Sequence, residues 1–186
     1  AAYLALIPKM VEDAGVRFVR SNAQAPISLP DMLDKTDEAR GTFARLVGAD
    51  HEEIGFLFVT TEGENLIAGA LDLQPGDNVV IDELHYDTTF VLYKHLEKTK
   101  GIELRIAKAR GGSAHAEAFE PLVNDRTRLV SVAWVSHQNG FRHDMKALAD
   151  MAHAHGAYLY TDAIQAVGMF PMNLHEVGVD FLTSGT

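Results

Sequence analysis

No cysteine occurs anywhere in the chain. That excludes a disulfide framework, a thiolate nucleophile and a cysteine-held metal within these residues. No apolar run approaches the roughly 20 residues that a helix needs to cross a bilayer, so no membrane partner is expected. The leading AAYLALIPKM is apolar, but it is short and has no basic flank, so it does not read as a signal peptide. Positive charge is scarce: 16 Lys and Arg stand against 26 Asp and Glu, for a formal net charge of −10. With no long basic run, a nucleic-acid or anionic-membrane surface is not expected either. A Walker lysine and a G-x-G-x-x-G turn are also missing, which makes the common nucleotide phosphate loops poor matches. An initiator Met is missing too, and the other end stops on Phe181 to Thr186, which reads as a strand entering a turn. Both ends read as cut points of a longer chain.

What is present is ordinary for one globular domain: 186 residues, 47% hydrophobic and 23% charged. Residues 3–14 read as a helix stopped by Gly15, 21–30 as a loop, and 31–47 as a helix ended by Gly48. Residues 55–60 read as a buried strand. Thr61 with Glu64 fits a capping box opening a helix through Leu73. Strands are then expected at 78–82, 102–107, 128–135, 157–161 and 179–183. Helices are expected at 87–100, 116–123 and 144–155, the last with Gly156 at its end. Strands alternating with helices of about a dozen residues mean βαβ crossovers. The expected fold is α/β, with three α/β/α layers around a mostly parallel central sheet.

Chemistry-bearing residues fall just past four of these strands, where open α/β sheets bind ligands. Thr60 and Thr61 stand where a strand feeds a helix, and the free N–H groups of that first turn with two hydroxyls can cup a phosphate. Plain helix capping is the alternative. His85 and Tyr86 offer a ring at the next strand end, or simply a polar loop before Asp87 as an N-cap. His137 and Asn139 can hydrogen-bond a ligand, or serve the loop. Asp162 ends the strand AYLYT, and Gln165 lies three residues on, where a helical turn would bring it to the same face. A buried strand-end carboxylate is costly without a partner, so Asp162 is either a satisfied structural acid or a ligand anchor. His153 and His155 are two apart on a helix and cannot chelate together. No metal site is expected.

A phosphate cup, a ring, an apical hydrogen bond and a strand-end acid together suit pyridoxal phosphate, whose ring nitrogen needs an anion to stay protonated. The set GFLFVTTEGENL, PGDNVVIDELHYDTT, SVAWVSHQNG, YTDAIQAVG and VDFLTSGT resembles the large domain of fold-type-I pyridoxal-phosphate enzymes. More narrowly, it is similar to class V aminotransferases, the group with cysteine desulfurases, isopenicillin-N-epimerase-like proteins and kynureninases. The resemblance spans roughly residues 40–186, leaving 1–40 as an N-terminal helical segment and loop and 41–186 as an incomplete cofactor domain. It implies that Thr60 and Thr61 hold the phosphate, that Asp162 pairs with the pyridine nitrogen and that Gln165 meets the phenolic oxygen. Tyr86 falls where desulfurases carry a stacking His, with His85 a second candidate. His137 falls where they carry an Asn. Ser184 and Thr186 match the turn leading to the Schiff-base lysine.

That lysine has no counterpart here, since Lys94, Lys98 and Lys146 sit on expected helices. The family pattern places it a residue or two beyond Thr186, and a small C-terminal domain after it. The resemblance implies an enzyme that acts on an amino acid through an external aldimine, by lyase, epimerase, desulfurase or transaminase chemistry. Tyr86 and His137 lean toward the epimerase-like or lyase branch. A cytoplasmic homodimer is the expected setting. Two other readings stand beside it: a nicotinamide-dependent oxidoreductase, which would want a glycine-rich first turn, and a non-catalytic scaffold or dimerisation fragment.

Overall fold

The computed structural model describes residues 6–185, so the candidate Thr186 lies outside the described residues. They fall into two units, divided after Gly55. The first unit is helical. α1 (Lys9–Gln24) starts after Pro8 and runs straight through Gly15. The expected stop there fails because an interior glycine costs a helix only about 1 kcal/mol relative to alanine. The expected 21–30 loop shrinks to four residues. α2 (Leu29–Val47) begins at Ser28, whose side chain accepts the Asp31 N–H at 3.2 Å, and it carries Pro30 in its first turn. Gly48 ends it in the left-handed region, at φ 68°. Asp50 then caps a single 3₁₀ turn, His51–Glu53.

The second unit is built on one parallel sheet. Its strands are β1 (Asn78–Asp82), β2 (Glu103–Ala107), β3 (Thr127–Ala133), β4 (Tyr158–Asp162) and β5 (Phe181–Thr183), in the order β2-β1-β3-β4-β5. Register sets what matters here. Asp82 pairs with Ala107, Ala133 with Asp162, and Asp162 with Thr183, so the carboxyl ends of the strands finish along one edge. The helices are α3 (Thr60–Ala70), α4 (Asp87–Lys100), α5 (Met145–Ala154) and the short α6 (Leu174–Val177). Val79, Ile81, Leu129 and Tyr160 share one core cluster with Ala68 of α3 and Tyr93 of α4. Because side chains alternate across a strand, Val80, Val130, Val132 and Leu159 point to the other face. There α5 packs on β3 and β4 and buries Met145, Leu148, Ala149 and Ala152. The expected three-layer α/β/α architecture is the observed one.

Local chemistry explains the element ends. Gly101 closes α4 at φ 72°. Asp144 caps α5 by accepting the Ala147 N–H at 3.1 Å, and Gly156 follows at φ 71°. Two expectations fail. Residues 55–60 form no strand: 55–59 pair with no neighbouring strand, with Phe56, Leu57, Phe58 and Val59 all exposed, and Thr60 already opens α3. An apolar, β-prone run becomes a strand only where a neighbour completes its hydrogen bonds. The helix expected at 116–123 is only a 3₁₀ turn, Ala116–Ala118. An open apolar hollow of about 390 Å³, between α3 and the residues Tyr158 and Phe181, sits at the amino ends of β4 and β5, away from the carboxyl edge. Among the described residues no helix is long and apolar enough to cross a membrane.

Candidate active site

The carboxyl edge gathers side chains from β1, β3, β4, β5 and the start of α3. Asp162 is its buried acid, 8% exposed at the last position of β4. Its Oδ1 accepts the Ile164 N–H at 2.9 Å. Burial pushes its carboxyl above the usual range, and the Ile164 amide, the Thr60 hydroxyl and the His137 ring draw it back. Thr60 therefore turns its hydroxyl toward Asp162. Thr61 turns its own toward α4, with its Oγ1 3.2 Å from Oγ1 of Thr88. The two hydroxyls take different partners, and the first amides of a helix are suited to an anion.

α3 starts one residue before the expected Thr61, and its N-cap is Val59. The expected capping box of Thr61 with Glu64 does not form. Glu62 instead accepts the Phe58 N–H at 3.0 Å, while Glu64 points into the protein and is buried.

Tyr86 and His85 diverge. Tyr86, at the N-cap of α4, is 47% exposed and meets the His137 ring edge-on, with centroids 5.1 Å apart and planes at 70°. His85 is fully buried and so faces no ligand. Burial pushes its imidazole down to about 3, helped by His143 and His137. His137 stands exposed on a tight loop closed by Ser136 N–H to the Phe141 carbonyl at 2.8 Å, with Gly140 at φ 75°. Asn139 ties that loop to another, its Oδ1 accepting the Phe141 N–H at 2.9 Å and its amide donating to the Gly112 carbonyl at 2.7 Å.

Beyond β4 the chain does turn helically. Ala166 N–H and Val167 N–H both donate to the Ala163 carbonyl, at 2.8 and 3.0 Å, which places Gln165 one turn from Asp162 and half-buried. Ser184 follows β5 directly, its hydroxyl donating to the Gly185 carbonyl at 3.1 Å. Thus Asp162, Thr60, His137 and Tyr86 form one cluster, with Thr61, Gln165 and Ser184 on the adjoining turns.

Sequence reasoning missed the layer beneath. Ser131 donates to Glu64 Oε1 at 2.7 Å and Thr89 donates to its Oε2 at 2.7 Å. Asp82 and His143 form a second buried pair at 2.9 Å. Helical spacing carried a signal for Glu64, which lies four residues before buried Ala68 and so falls on the apolar stripe. His153 and His155 take separate carboxylates, Asp180 and Asp125, at 2.8 and 2.9 Å.

Which family builds this edge is decided by a family model, aminotransferase class-V, that matches residues 5–186. The chain belongs to the class V aminotransferase family. Within that family it is 33% identical over 148 residues to a probable cysteine desulfurase of Methanothermobacter thermautotrophicus, covering 79% of this chain and 37% of that protein. It is 34% identical over 151 residues to a cysteine desulfurase of Haloferax volcanii, covering 78% and 35%. The fold is shared with the cysteine desulfurase CsdA of Escherichia coli at a TM-score of 0.86, with 23% identity, over 99% of this chain and 49% of that one. The chain spans half or less of the length of these proteins.

Proposed function

We propose that this chain is the cofactor-holding part of a pyridoxal-phosphate-dependent enzyme that acts on an amino acid. The observation carrying the reading is Asp162: a buried strand-end acid, flanked by the Thr60 hydroxyl and the His137 ring at a helix N-terminus. The donor set fits the cofactor part by part. The α3 amides and Thr61 suit a phosphate dianion. The Tyr86 ring, held edge-on by His137, suits a flat aromatic partner. Asp162 suits a protonated ring nitrogen, and Gln165, one turn later, suits the ring's phenolic oxygen. Bound there, the cofactor supplies an electron sink for chemistry at the amino acid's α-carbon.

Each residue then has a task of its own. Asp162 would keep the proton on the ring nitrogen, and its burial would strengthen that interaction by lowering the local dielectric. Thr60, beside Asp162, would help to hold that carboxyl ionised, and its amide would be free to meet the phosphate. Tyr86 would stack on the cofactor's ring, and His137, edge-on to Tyr86, would offer it a hydrogen bond. Ser184 shapes the turn after β5. An amine nucleophile must complete the chemistry, and among the described residues no lysine belongs to the cluster: Lys146 is paired with Asp150 on α5, and Lys108 with Glu83 beyond β1. We assign that amine to the complete protein, together with the grip on the substrate carboxylate. Homodimer formation and a cytoplasmic setting belong to the same proposal.

The relatives named above make cysteine the first substrate to test. Tyr86 in place of a stacking His favours epimerase-like or lyase chemistry instead. Full-length protein titrated with pyridoxal phosphate should develop a visible absorption band that borohydride bleaches. Absence of that band overturns the reading. Sulfide released from cysteine would assign the desulfurase branch, and α-hydrogen exchange without sulfide the other.

A further inference from the structure

Glu64 has no part in the reading above, yet two buried hydroxyls beneath the site, those of Ser131 and Thr89, both donate to it. It is 3% exposed, on the helix whose first turn would face the phosphate. The proton directions follow from His85. Its Nδ1 accepts the Tyr86 N–H at 2.7 Å, so that nitrogen carries no proton. The ring proton therefore sits on Nε2, which donates to Ser131 Oγ at 3.1 Å. Ser131 donates onward to Glu64 Oε1 at 2.7 Å, and Thr89, in the first turn of α4, donates to Oε2 at 2.7 Å. The Tyr86 backbone is thus joined to Glu64 through His85 and Ser131, and α4 is joined to it through Thr89.

We propose that Glu64 is a positioning residue for the Tyr86 ring: through Ser131, His85 and Thr89 it fixes the backbone at position 86 against α3, and so sets the ring relative to the phosphate-facing turn. The proposal rests on the pyridoxal-phosphate reading of the site. Tyr86 is 47% exposed, and among the described residues its ring meets only the His137 ring, so its orientation depends largely on its backbone. A purely space-filling role would not need a carboxylate. An apolar side chain would fill the gap between α3 and the sheet, as Ala68 does one turn later, without the cost of burying an acid. Glu64 links three segments, α3, β3 and the β1–α4 junction, and two of them carry proposed cofactor contacts.

The test uses the full-length protein and four variants: Glu64→Gln, Ser131→Ala, Tyr86→Ala, and Glu64→Gln combined with Tyr86→Ala. Pyridoxal-phosphate affinity and the circular dichroism of the bound cofactor are measured, with thermal unfolding of the cofactor-free form alongside. Glu64→Gln should weaken binding and alter the dichroism, and Ser131→Ala should do the same. In the Tyr86→Ala background the Glu64→Gln loss should shrink by about fivefold, as coupled neighbours require. Additive losses overturn the proposal, as does a lower melting temperature with unchanged affinity and dichroism. If Glu64→Gln does not fold, Ser131→Ala with Tyr86→Ala supplies the same cycle. Wild type that binds no pyridoxal phosphate overturns the site reading itself, a result distinct from either.

Discussion

Gly63 of α3 lies so close to β5 that a Cβ added to it would stand 2.4 Å from Cγ2 of Thr183. Thr183 cannot swing away freely, because it is buried and its hydroxyl is 2.6 Å from the Tyr160 hydroxyl. An alanine inside a helix ordinarily gains about 1 kcal/mol over glycine. At Gly63 the clash reverses the sign, and Gly63→Ala should destabilise by about 1–3 kcal/mol. Gly69, on the same helix, has nothing within 4 Å of its Cβ position. Gly69→Ala should therefore stabilise by roughly 0.5–1 kcal/mol. Urea unfolding of the pair checks both, and equal signs would refute the close-packing account.

Asp162→Ala in the complete protein should lower turnover by at least about a hundredfold while leaving part of the cofactor binding intact, because the phosphate contacts remain. Thr61→Ala should do the opposite: cofactor retention on dialysis should fall about tenfold, the size of one lost hydrogen bond to a charged group, with a smaller effect on kcat. Near-normal turnover in the Asp162 variant would remove it from the role assigned here.

Tyr86→Phe should keep the cofactor affinity, and Tyr86→Ala should weaken it by roughly fivefold, since a ring pair contributes about 0.5–1.5 kcal/mol beyond its burial. A fluorescence titration separates the two. Equal losses in both variants would assign the contact to the hydroxyl rather than to the ring.

His85 makes the fold acid-sensitive. Its imidazole is pushed down to about 3 from an ordinary 6.5, so above pH 6.5 it is neutral both folded and unfolded and contributes no pH dependence. As pH falls from 6.5 toward 3, the unfolded chain takes a proton that the folded one refuses, and stability drops by up to about 1.4 kcal/mol per pH unit. Glu64 and Asp162 act in the opposite sense. Burial raises both carboxyls, so the stability they contribute is present at low pH and lost as pH rises through their folded values. Unfolding free energies of wild type and His85→Gln between pH 7 and 4 separate these contributions, and the variant should have the shallower acid slope. Parallel profiles would deny His85 this role.

Much of the sheet was legible because β1, β3 and β4 are short apolar runs ended by turn residues, and because α4 and α5 stop at glycines in the left-handed region. Asp162 was legible for the same reason: a strand that ends on a carboxylate announces a choice between pairing and binding. The failures have separate causes. Gly15 looked like a stop, but one glycine is a small cost in a 16-residue helix. Phe56 to Val59 has strand composition, and composition cannot supply the ladder a strand needs. Glu64 satisfied the capping-box spacing, yet a helix start one residue earlier turns it inward, and a one-residue shift lies below what spacing can resolve.

The strand order has a consequence for how the protein is made. Every crossover is parallel, and the carboxyl edge draws on Thr60 near the beginning of the second unit and Ser184 near its end. No stretch of the growing chain contains both the helix turn and the acid until β4 has docked beside β3, and β5 then closes against α3 at Gly63. High contact order of this kind makes assembly slow. Cofactor capture would therefore be a late event in folding, and its visible band a direct gauge of the fraction of chains that have finished.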